Sequence, residues 1–217
     1  MIPRVHVVTD DRVLARPDFP EAAAAVIAAG AGRIAFHLRG PRSGGRRLEE
    51  FAGLLLPAAR AAGVPLLLND RIDVALAARA DGVHLGLRSL PLSHARWLLP
   101  AGALVGCSVH GAGEAEAWGA EGGAPDFLFT GPIFPTRSHP GAKAAGPGLI
   151  AAVGAVRPRA AQIGIGGVTP DRAAALRDAG AHGVAVIGAV WEEGDPARAV
   201  AALLRAAAGT RPGAGEG

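Results

Sequence analysis

Cysteine is nearly absent from this chain of 217 residues, and the sequence also lacks any long uninterrupted apolar run. A single cysteine, Cys107, excludes an internal disulfide and is typical of a reducing compartment, so we expect a cytoplasmic protein. Half of the residues are hydrophobic, yet no run reaches the roughly 18 continuous apolar residues of a membrane span. The first residues lead directly into a strand without a signal-peptide pattern, and we therefore expect no membrane association.

Lysine is almost missing as well, because Lys143 is the only lysine among 22 lysine and arginine residues. The arginines are scattered among 19 acidic residues, and the formal net charge is only +3. A nucleic-acid-binding protein instead collects its basic residues into a patch or stripe. The charge pattern therefore indicates a composition bias, and we expect no nucleic-acid partner.

Short apolar runs alternate with helical stretches rich in alanine, leucine and arginine along the chain. This alternation is typical of parallel α/β folds, in which each strand is followed by a helix. Eight predicted strands cover residues 5–8, 33–38, 65–68, 82–86, 103–107, 126–129, 161–165 and 183–187. They predict a single (β/α)8 TIM barrel over residues 1–208, a length within the usual range of that fold. Residues 209–217 are rich in glycine, and we expect them to form a disordered tail.

Glycine junctions follow the seventh and eighth predicted strands, at Gly166-Gly167 and at Gly188. Glycine lets backbone N–H groups approach an anion closely, and the start of the following helix favours negative charge. A tight turn explains a single Gly-Gly pair equally well, but two junctions on consecutive strands match the phosphate site of this type of barrel. The predicted phosphate-binding residues are Gly166, Gly167, Val186, Ile187 and Gly188.

Polar residues follow most of the other strands, and the carboxyl ends of the strands form the active-site face of such a barrel. The candidate substrate-binding residues are Arg39, Asn69, Asp70, His84, Ser108, Thr130, Thr136 and Ser138. Arg39 suits an anionic group, since a guanidinium binds phosphate and carboxylate through paired hydrogen bonds. Asp70 equally fits the N-cap of the next helix, and His84 equally fits a buried structural role. One carboxylate near Arg88 is weak evidence for a cation site, so the residues alone predict no metal.

Histidine is the side chain best matched to proton transfer near neutral pH. His110 follows the fifth predicted strand, and His139 lies in the long loop over residues 132–148. A loop of that length in a compact barrel is usually functional or mobile. We expect His110 and His139 to be the catalytic acid–base candidates, with His37 behind them.

Together these residues resemble the thiamine-phosphate synthase/TenI superfamily over nearly the whole chain. The resemblance rests on residues 8–10 (VTD), 38–39 (LR), 68–75 (LNDRIDVA), 81–86 (DGVHLG), 106–110 (GCSVH), 131–136 (GPIFPT), 165–168 (IGGV) and 183–187 (GVAVI). Their order and spacing are specific for the superfamily but not for one of its branches. The resemblance implies a small-molecule thiazole phosphate substrate, and also a homodimer, since barrels of this superfamily are often dimers.

Three replacements favour the TenI branch over the synthase branch. The synthase pattern Gln-Leu-Arg-Glu-Lys reads HLRGP at residues 37–41, Ser89 stands where synthases carry a metal-binding aspartate, and His139 replaces a lysine. TenI-type enzymes are isomerases that tautomerise a thiazole carboxylate phosphate to its aromatic form without a metal. We therefore expect this tautomerase activity and no cofactor. Pro132 replaces the histidine of the best-known tautomerase, so the proton transfer falls to the histidines named above.

Two alternatives stay open. The first is a thiamine-phosphate synthase, a transferase that joins hydroxymethylpyrimidine pyrophosphate and thiazole phosphate with Mg²⁺, in which case Asp70 is the metal ligand. The second is a catalytically inert barrel with a regulatory or binding role. Mg²⁺ dependence separates the tautomerase from the synthase, and proton exchange at the substrate ring separates the tautomerase from the inert barrel.

Overall fold

Eight parallel strands close into a barrel in sequence order, in a computed structural model that describes residues 1–120, 123–138, 141 and 143–208. β1 pairs with both β2 and β8, which closes the sheet. The strands are β1 (Val5–Val8), β2 (Ile34–Leu38), β3 (Leu66–Asn69), β4 (Gly82–Leu85), β5 (Leu104–Val109), β6 (Phe127–Thr130), β7 (Ala161–Ile165) and β8 (Gly183–Val186). The prediction of a single (β/α)8 TIM barrel is therefore confirmed.

A helix follows every strand. The helices are α1 (Asp11–Leu14), α2 (Phe19–Gly30), α3 (Gly45–Ala61), α4 (Ile72–Ala78), α5 (Leu92–Leu98), α6 (Ala112–Ala120), α7 (Gly148–Val156), α8 (Pro170–Asp178), α9 (Gly188–Trp191) and α10 (Pro196–Ala208). The sequence pattern did not predict α1 and α9, because four residues are too few to show a helical period. In the described part of the chain, every helix is too short or too polar to span a membrane.

Successive strand residues face two different apolar layers. Leu128 belongs to the large core between barrel and helices, whereas its neighbours Phe127 and Phe129 belong to a smaller cluster inside the barrel. An eight-stranded barrel has an interior just wide enough for side chains to fill. Three histidine rings share this interior and pack against Phe129: those of His6, His37 and His84.

Hydrogen bonds from side chains to the backbone join the first and last units of the barrel. Trp191 Nε1, at the end of α9, donates to the carbonyl oxygen of Val8 on β1 at 2.9 Å. Arg16 Nη1, just after α1, donates to the carbonyl oxygen of Trp191 at 2.9 Å. α10 packs against α2 beside these contacts. The seam between the two ends of the strand order is therefore closed by both packing and hydrogen bonds.

Three strands extend beyond their predicted ends. β3 reaches Asn69, β5 reaches Val109 and β6 reaches Thr130, one or two residues further than the sequence indicates. Asn69, Ser108 and Thr130 are therefore strand residues, and the sheet fixes the direction of their side chains. Residues 209–217, for which a disordered tail was expected, lie outside the described residues.

Candidate active site

A cavity of about 880 Å³ opens at the carboxyl ends of the strands. Its lining draws on every strand or the loop after it, from Val8 of β1 to Gly188 after β8. The volume lies within the range of sites that hold small molecules. The candidate substrate-binding residues that line it are Arg39, Asn69, Asp70, His84, Ser108, Thr136 and Ser138.

Thr130, the remaining candidate, is fully buried outside the cavity lining. Its hydroxyl donates to Gln162 Oε1 at 3.3 Å. Because side chains alternate along a strand, Thr130 points away from the barrel interior that its neighbour Phe129 faces. Its environment is that of the core between β6 and β7.

One wall of the cavity consists of the predicted phosphate-binding residues, all of which line it: Gly166, Gly167, Val186, Ile187 and Gly188. Gly166 and Gly167 have φ angles of 97° and 60°, which residues with a side chain rarely adopt. A Cβ on Gly166 would lie 2.8 Å from Pro132 Cα, and one on Gly167 would overlap the carbonyl oxygen of Pro135. Glycine is therefore required at both positions, and we call this wall the glycine wall.

Arg172 on α8 lines the cavity beside the glycine wall, and it is not among the residues predicted from the sequence. Its Nη1 donates to the carbonyl oxygen of Gly167 at 2.6 Å, and its guanidinium lies 4.8 Å from the centroid of the Phe134 ring. Both contacts hold a positive charge next to the glycine turn, where it strengthens hydrogen bonding to an anion. The available signal was its position in the first turn of the helix after the glycine junction.

Arginines line the wall formed by the loops after β2, β3 and β4: Arg39, Arg71 and Arg88. Burial lowers the pKa of Arg39 from its ordinary value, while nearby carboxylates, Asp70 foremost, raise it. A guanidinium keeps its charge in proteins, so Arg39 presents a partly buried cation. The backbone of Arg39 is fixed by Thr9, whose hydroxyl donates to its carbonyl and accepts from its N–H, both at 2.8 Å. We call this side of the cavity the arginine wall.

Asp70 joins the loops after β3 and β4 at the rim of the arginine wall. Its φ angle is 62°, and its Oδ1 accepts hydrogen bonds from the Gly86 N–H at 2.8 Å and the Ser89 hydroxyl at 2.5 Å. The Asp70 N–H donates to the carbonyl of His84 at 2.9 Å. The N-cap residue of α4 is Arg71, so the alternative of Asp70 as a helix cap is wrong. The Asp70 carboxylate and the Ser89 hydroxyl are thus held together facing the cavity.

The three predicted acid–base histidines have different surroundings. His110 lines the cavity and is half-exposed, with Nδ1 3.0 Å from Glu114 Oε2. His37 is fully buried outside the cavity lining, and burial lowers its pKa to about 4. His139 lies outside the described residues. Among the two described candidates, only His110 reaches the cavity.

His84 and Ser108 form a polar pair in the cavity floor, with His84 Nε2 2.9 Å from Ser108 Oγ. Burial, followed by the nearby His37, lowers the pKa of His84 well below its ordinary value, so its imidazole is neutral. His84 Nδ1 is buried without a hydrogen-bond partner among the described residues. A bare nitrogen is better tolerated there than an unpaired N–H, which favours the form in which Nε2–H donates to Ser108.

The chain is similar to known proteins along most of its length. Residues 5–190 match the family described as thiamine monophosphate synthase (TMP-TENI). A thiamine-phosphate synthase of Chlorobium luteolum is 41% identical over 82% of this chain and 83% of that protein. One of Deinococcus radiodurans is 45% identical over 68% of this chain, a match that spans only about half of that protein (52%). The solved structure of a thiamine phosphate pyrophosphorylase from Pyrococcus furiosus has a TM-score of 0.80 and 28% identity, covering 94% of this chain and 95% of that one.

These similarities correct the branch and the reaction expected from the sequence. The relatives are named as synthases, so the expectations of the TenI branch, of tautomerase activity and of an isomerase are wrong. The TenI prediction rested on replacements at residues 37–41, Ser89 and His139, whereas the similarity to synthases extends over residues 5–190. From the match over residues 5–190, the chain belongs to the thiamine monophosphate synthase family.

Proposed function

We propose that this protein is a thiamine-phosphate synthase, which joins hydroxymethylpyrimidine pyrophosphate to thiazole phosphate. The observation that carries the proposal is the pairing of two anion-binding walls in one cavity of about 880 Å³. The glycine wall and the arginine wall come from opposite sides of the barrel, after β7 and β8 and after β2 to β4. Two substrates that each carry a phosphate-type end need two such walls. The names of the relatives favour the same reaction.

The glycine wall suits the single phosphate of the thiazole substrate. Gly166 and Gly167 bring backbone to the cavity surface without a Cβ, and Arg172 adds a fixed guanidinium beside them. Close backbone N–H groups and a charged donor are the usual partners of a phosphate. These residues bind and orient the nucleophilic substrate.

The arginine wall suits the diphosphate of the pyrimidine substrate, with Mg²⁺ held at Asp70. Among the described residues, no three histidine, cysteine or acidic side chains cluster closely enough to hold a metal alone. Mg²⁺ does not require such a cluster, since it commonly binds one or two carboxylates together with substrate phosphates. The Asp70 carboxylate beside the Ser89 hydroxyl fits that mode. When bound there, Mg²⁺ supplies positive charge opposite the departing diphosphate.

The reaction makes one bond and breaks one. The thiazole nitrogen forms a C–N bond to the pyrimidine methylene carbon, the C–O bond to the diphosphate breaks, and the diphosphate leaves with the electron pair. This step requires no proton from the protein. In the described cavity lining the buried histidine is His84, which is neutral, and this agrees with a reaction that needs no buried acid. The side chains therefore act by orienting the two substrates and stabilising the negative charge of the leaving group.

A paired assay of the purified protein tests the proposal. One arm supplies both synthase substrates with Mg²⁺ and measures thiamine phosphate and released pyrophosphate; the other supplies the carboxythiazole phosphate tautomer without metal. We expect products only in the first arm, and we expect chelation to abolish them. Isomerisation in the second arm, or no reaction in either, contradicts the proposal. Asp70→Asn should lose the first activity, whereas Asp178→Asn, at the exposed end of α8, should retain it.

A further inference from the structure

A chain of hydrogen bonds runs through the barrel interior and ends at the cavity. His6 Nε2 lies 3.0 Å from the carbonyl oxygen of Pro3, and His6 Nδ1 lies 2.9 Å from His37 Nε2. His37 Nδ1 in turn lies 3.2 Å from Asn69 Oδ1. Both imidazoles are buried, whereas Asn69 lines the cavity. A backbone carbonyl remote from the site is thereby connected to a side chain that faces the ligand.

The number of protons on the two imidazoles determines which atom donates in each of these hydrogen bonds. A carbonyl oxygen only accepts, so His6 Nε2 carries a proton. In a neutral imidazole the other nitrogen is bare, so His6 Nδ1 accepts from His37 Nε2–H, and His37 Nδ1 is then bare as well. A bare nitrogen needs a donor, and the Asn69 amide can supply one only through Nδ2. With Oδ1 toward His37, the three hydrogen bonds require three protons on two imidazoles, and the pair carries a positive charge.

The surroundings of the pair oppose that charge. Burial is the largest cause lowering the pKa of both imidazoles, well below the ordinary value for His6 and to about 4 for His37. The other groups that face the pair are His84 of β4, His182 before β8, and the rings of Phe127 and Phe129 of β6. No carboxylate is among the groups that shift either pKa in the described part of the chain. The neutral pair is therefore the form at neutral pH.

We propose that the neutral His6–His37 pair positions Asn69, so that its Nδ2 donates to His37 and its Oδ1 faces the cavity as a hydrogen-bond acceptor. The two ends of an amide are nearly equal in size and exchange by a half-turn of the side chain, so this arrangement requires no other movement. His6 and His37 are positioning residues in this scheme, because Asn69 is the one that touches the ligand. The ligand group opposite Asn69 is an N–H or O–H donor, and that consequence rests on the proposed function.

Nuclear magnetic resonance tests the arrangement without any activity. Two-bond proton–nitrogen spectra of the histidine rings distinguish the Nδ1–H form, the Nε2–H form and the imidazolium. At pH 7 we expect His6 and His37 both in the Nε2–H form, and a coupling across the hydrogen bond from Asn69 Nδ2 to His37 Nδ1. Either residue in another form, or His37 as an imidazolium, overturns the proposal.

Variants of His6 test whether the pair sets the direction. His6→Phe removes the acceptor of His37 Nε2–H, so we expect His37 to change to the Nδ1–H form and Asn69 to turn its Oδ1 inward. His6→Gln can donate to Pro3 and accept from His37, and it should keep the wild-type form of His37. His182 is a nearby imidazole that takes no part in these hydrogen bonds, since its Nε2 donates to the carbonyl oxygen of Ile2. His182→Asn should therefore leave the proton positions of His6 and His37 unchanged. An unchanged His37 in a folded His6→Phe variant contradicts the proposal, as does a changed His37 in His6→Gln.

Kinetics connect the arrangement to the ligand. In His6→Phe we expect KM for one of the two synthase substrates to rise about tenfold, the effect of one neutral hydrogen bond, with kcat little changed and His6→Gln close to wild type. A fall in kcat alone contradicts the positioning role. If the wild-type protein makes no thiamine phosphate, the proposed function fails, while the spectra still decide the direction of Asn69.

Discussion

The Ser89 hydroxyl donates to Asp70 Oδ1 at 2.5 Å, so a neutral group shares the rim position where synthases carry a second acidic residue. The pair offers a cation a single negative charge. Two carboxylates attract Mg²⁺ more strongly than one, so in the proposed synthase the diphosphate would supply more of the Mg²⁺ coordination. Mg²⁺ binding and diphosphate binding should depend strongly on each other.

Replacing Ser89 by aspartate should tighten Mg²⁺ binding. We expect Ser89→Asp to lower the Mg²⁺ concentration for half-maximal activity about tenfold, because it adds a second carboxylate to the site. Binding of Mn²⁺ in the presence of pyrophosphate, followed by water proton relaxation, measures the same effect without turnover. Asp178→Asn is the matched control and should match wild type in both measurements. An unchanged metal dependence in Ser89→Asp would show that Asp70 does not hold the ion.

Filling the glycine wall should weaken binding of thiazole phosphate. Gly167→Ala places a Cβ against the Pro135 carbonyl at a φ angle of 60°, so the turn must shift. We expect KM for thiazole phosphate to rise at least about tenfold, the loss of one or two hydrogen bonds, with little change for the pyrimidine substrate. Steady-state kinetics with each substrate varied in turn measure both values. Gly113→Ala on α6, where a Cβ meets no atom within 4 Å, should leave both unchanged.

Removing the guanidinium of Arg172 should affect the same substrate. Arg172→Met keeps the aliphatic stem over Phe134 but loses the charge beside Gly167. We expect KM for thiazole phosphate to rise roughly tenfold to a hundredfold and to become less sensitive to salt, since a charge-assisted contact is removed. Arg205→Met, exposed on α10, provides the control. Equal effects on both substrates would place Arg172 outside the thiazole phosphate site.

The buried His37 should make stability depend on pH. Its pKa is about 4 in the folded protein and 6.5 ordinarily, so between these values the unfolded chain binds a proton that the folded chain does not. The stabilisation is complete above pH 6.5 and is lost as the pH falls toward 4, on the order of 3 kcal/mol in total. Urea unfolding at pH 7 and pH 4.5 should show a smaller difference for His37→Gln than for wild type. His94→Gln, on the exposed face of α5, should keep the wild-type difference, and equal differences in all three proteins would contradict the assignment.

The fold was predictable because its signals are local and repeat eight times. Apolar runs with a helix behind each one define the strands, and the glycine pair after β7 marks positions where the backbone itself demands glycine. The candidate residues at strand ends followed from the same rule, and most of them line the cavity. Arg71, Arg88 and Arg172 were not selected, because no periodic pattern shows where a long side chain on a loop or helix points.

The sequence also did not show how deep in the barrel each side chain lies. His37 of β2 and Arg39, which follows the strand, lie two residues apart, yet only Arg39 lines the cavity. His37 lies deeper and packs against Phe127 and Phe129, which belong to a strand about 90 residues later in the sequence. The prediction of the TenI branch was wrong for a related reason. A replacement at a single position, such as Ser89, does not reveal which neighbouring groups make the contact that the replaced residue would have made.

The contact between Trp191 and Val8 has a consequence for how the protein is made. Val8 itself lines the cavity, and so does Gly188 of the glycine wall, three residues before Trp191. The arginine wall ends at residue 88 and the glycine wall begins at residue 166, and β1 closes the barrel only by pairing with β8. A growing chain should therefore complete the cavity, and bind either substrate, only after Trp191 has been added.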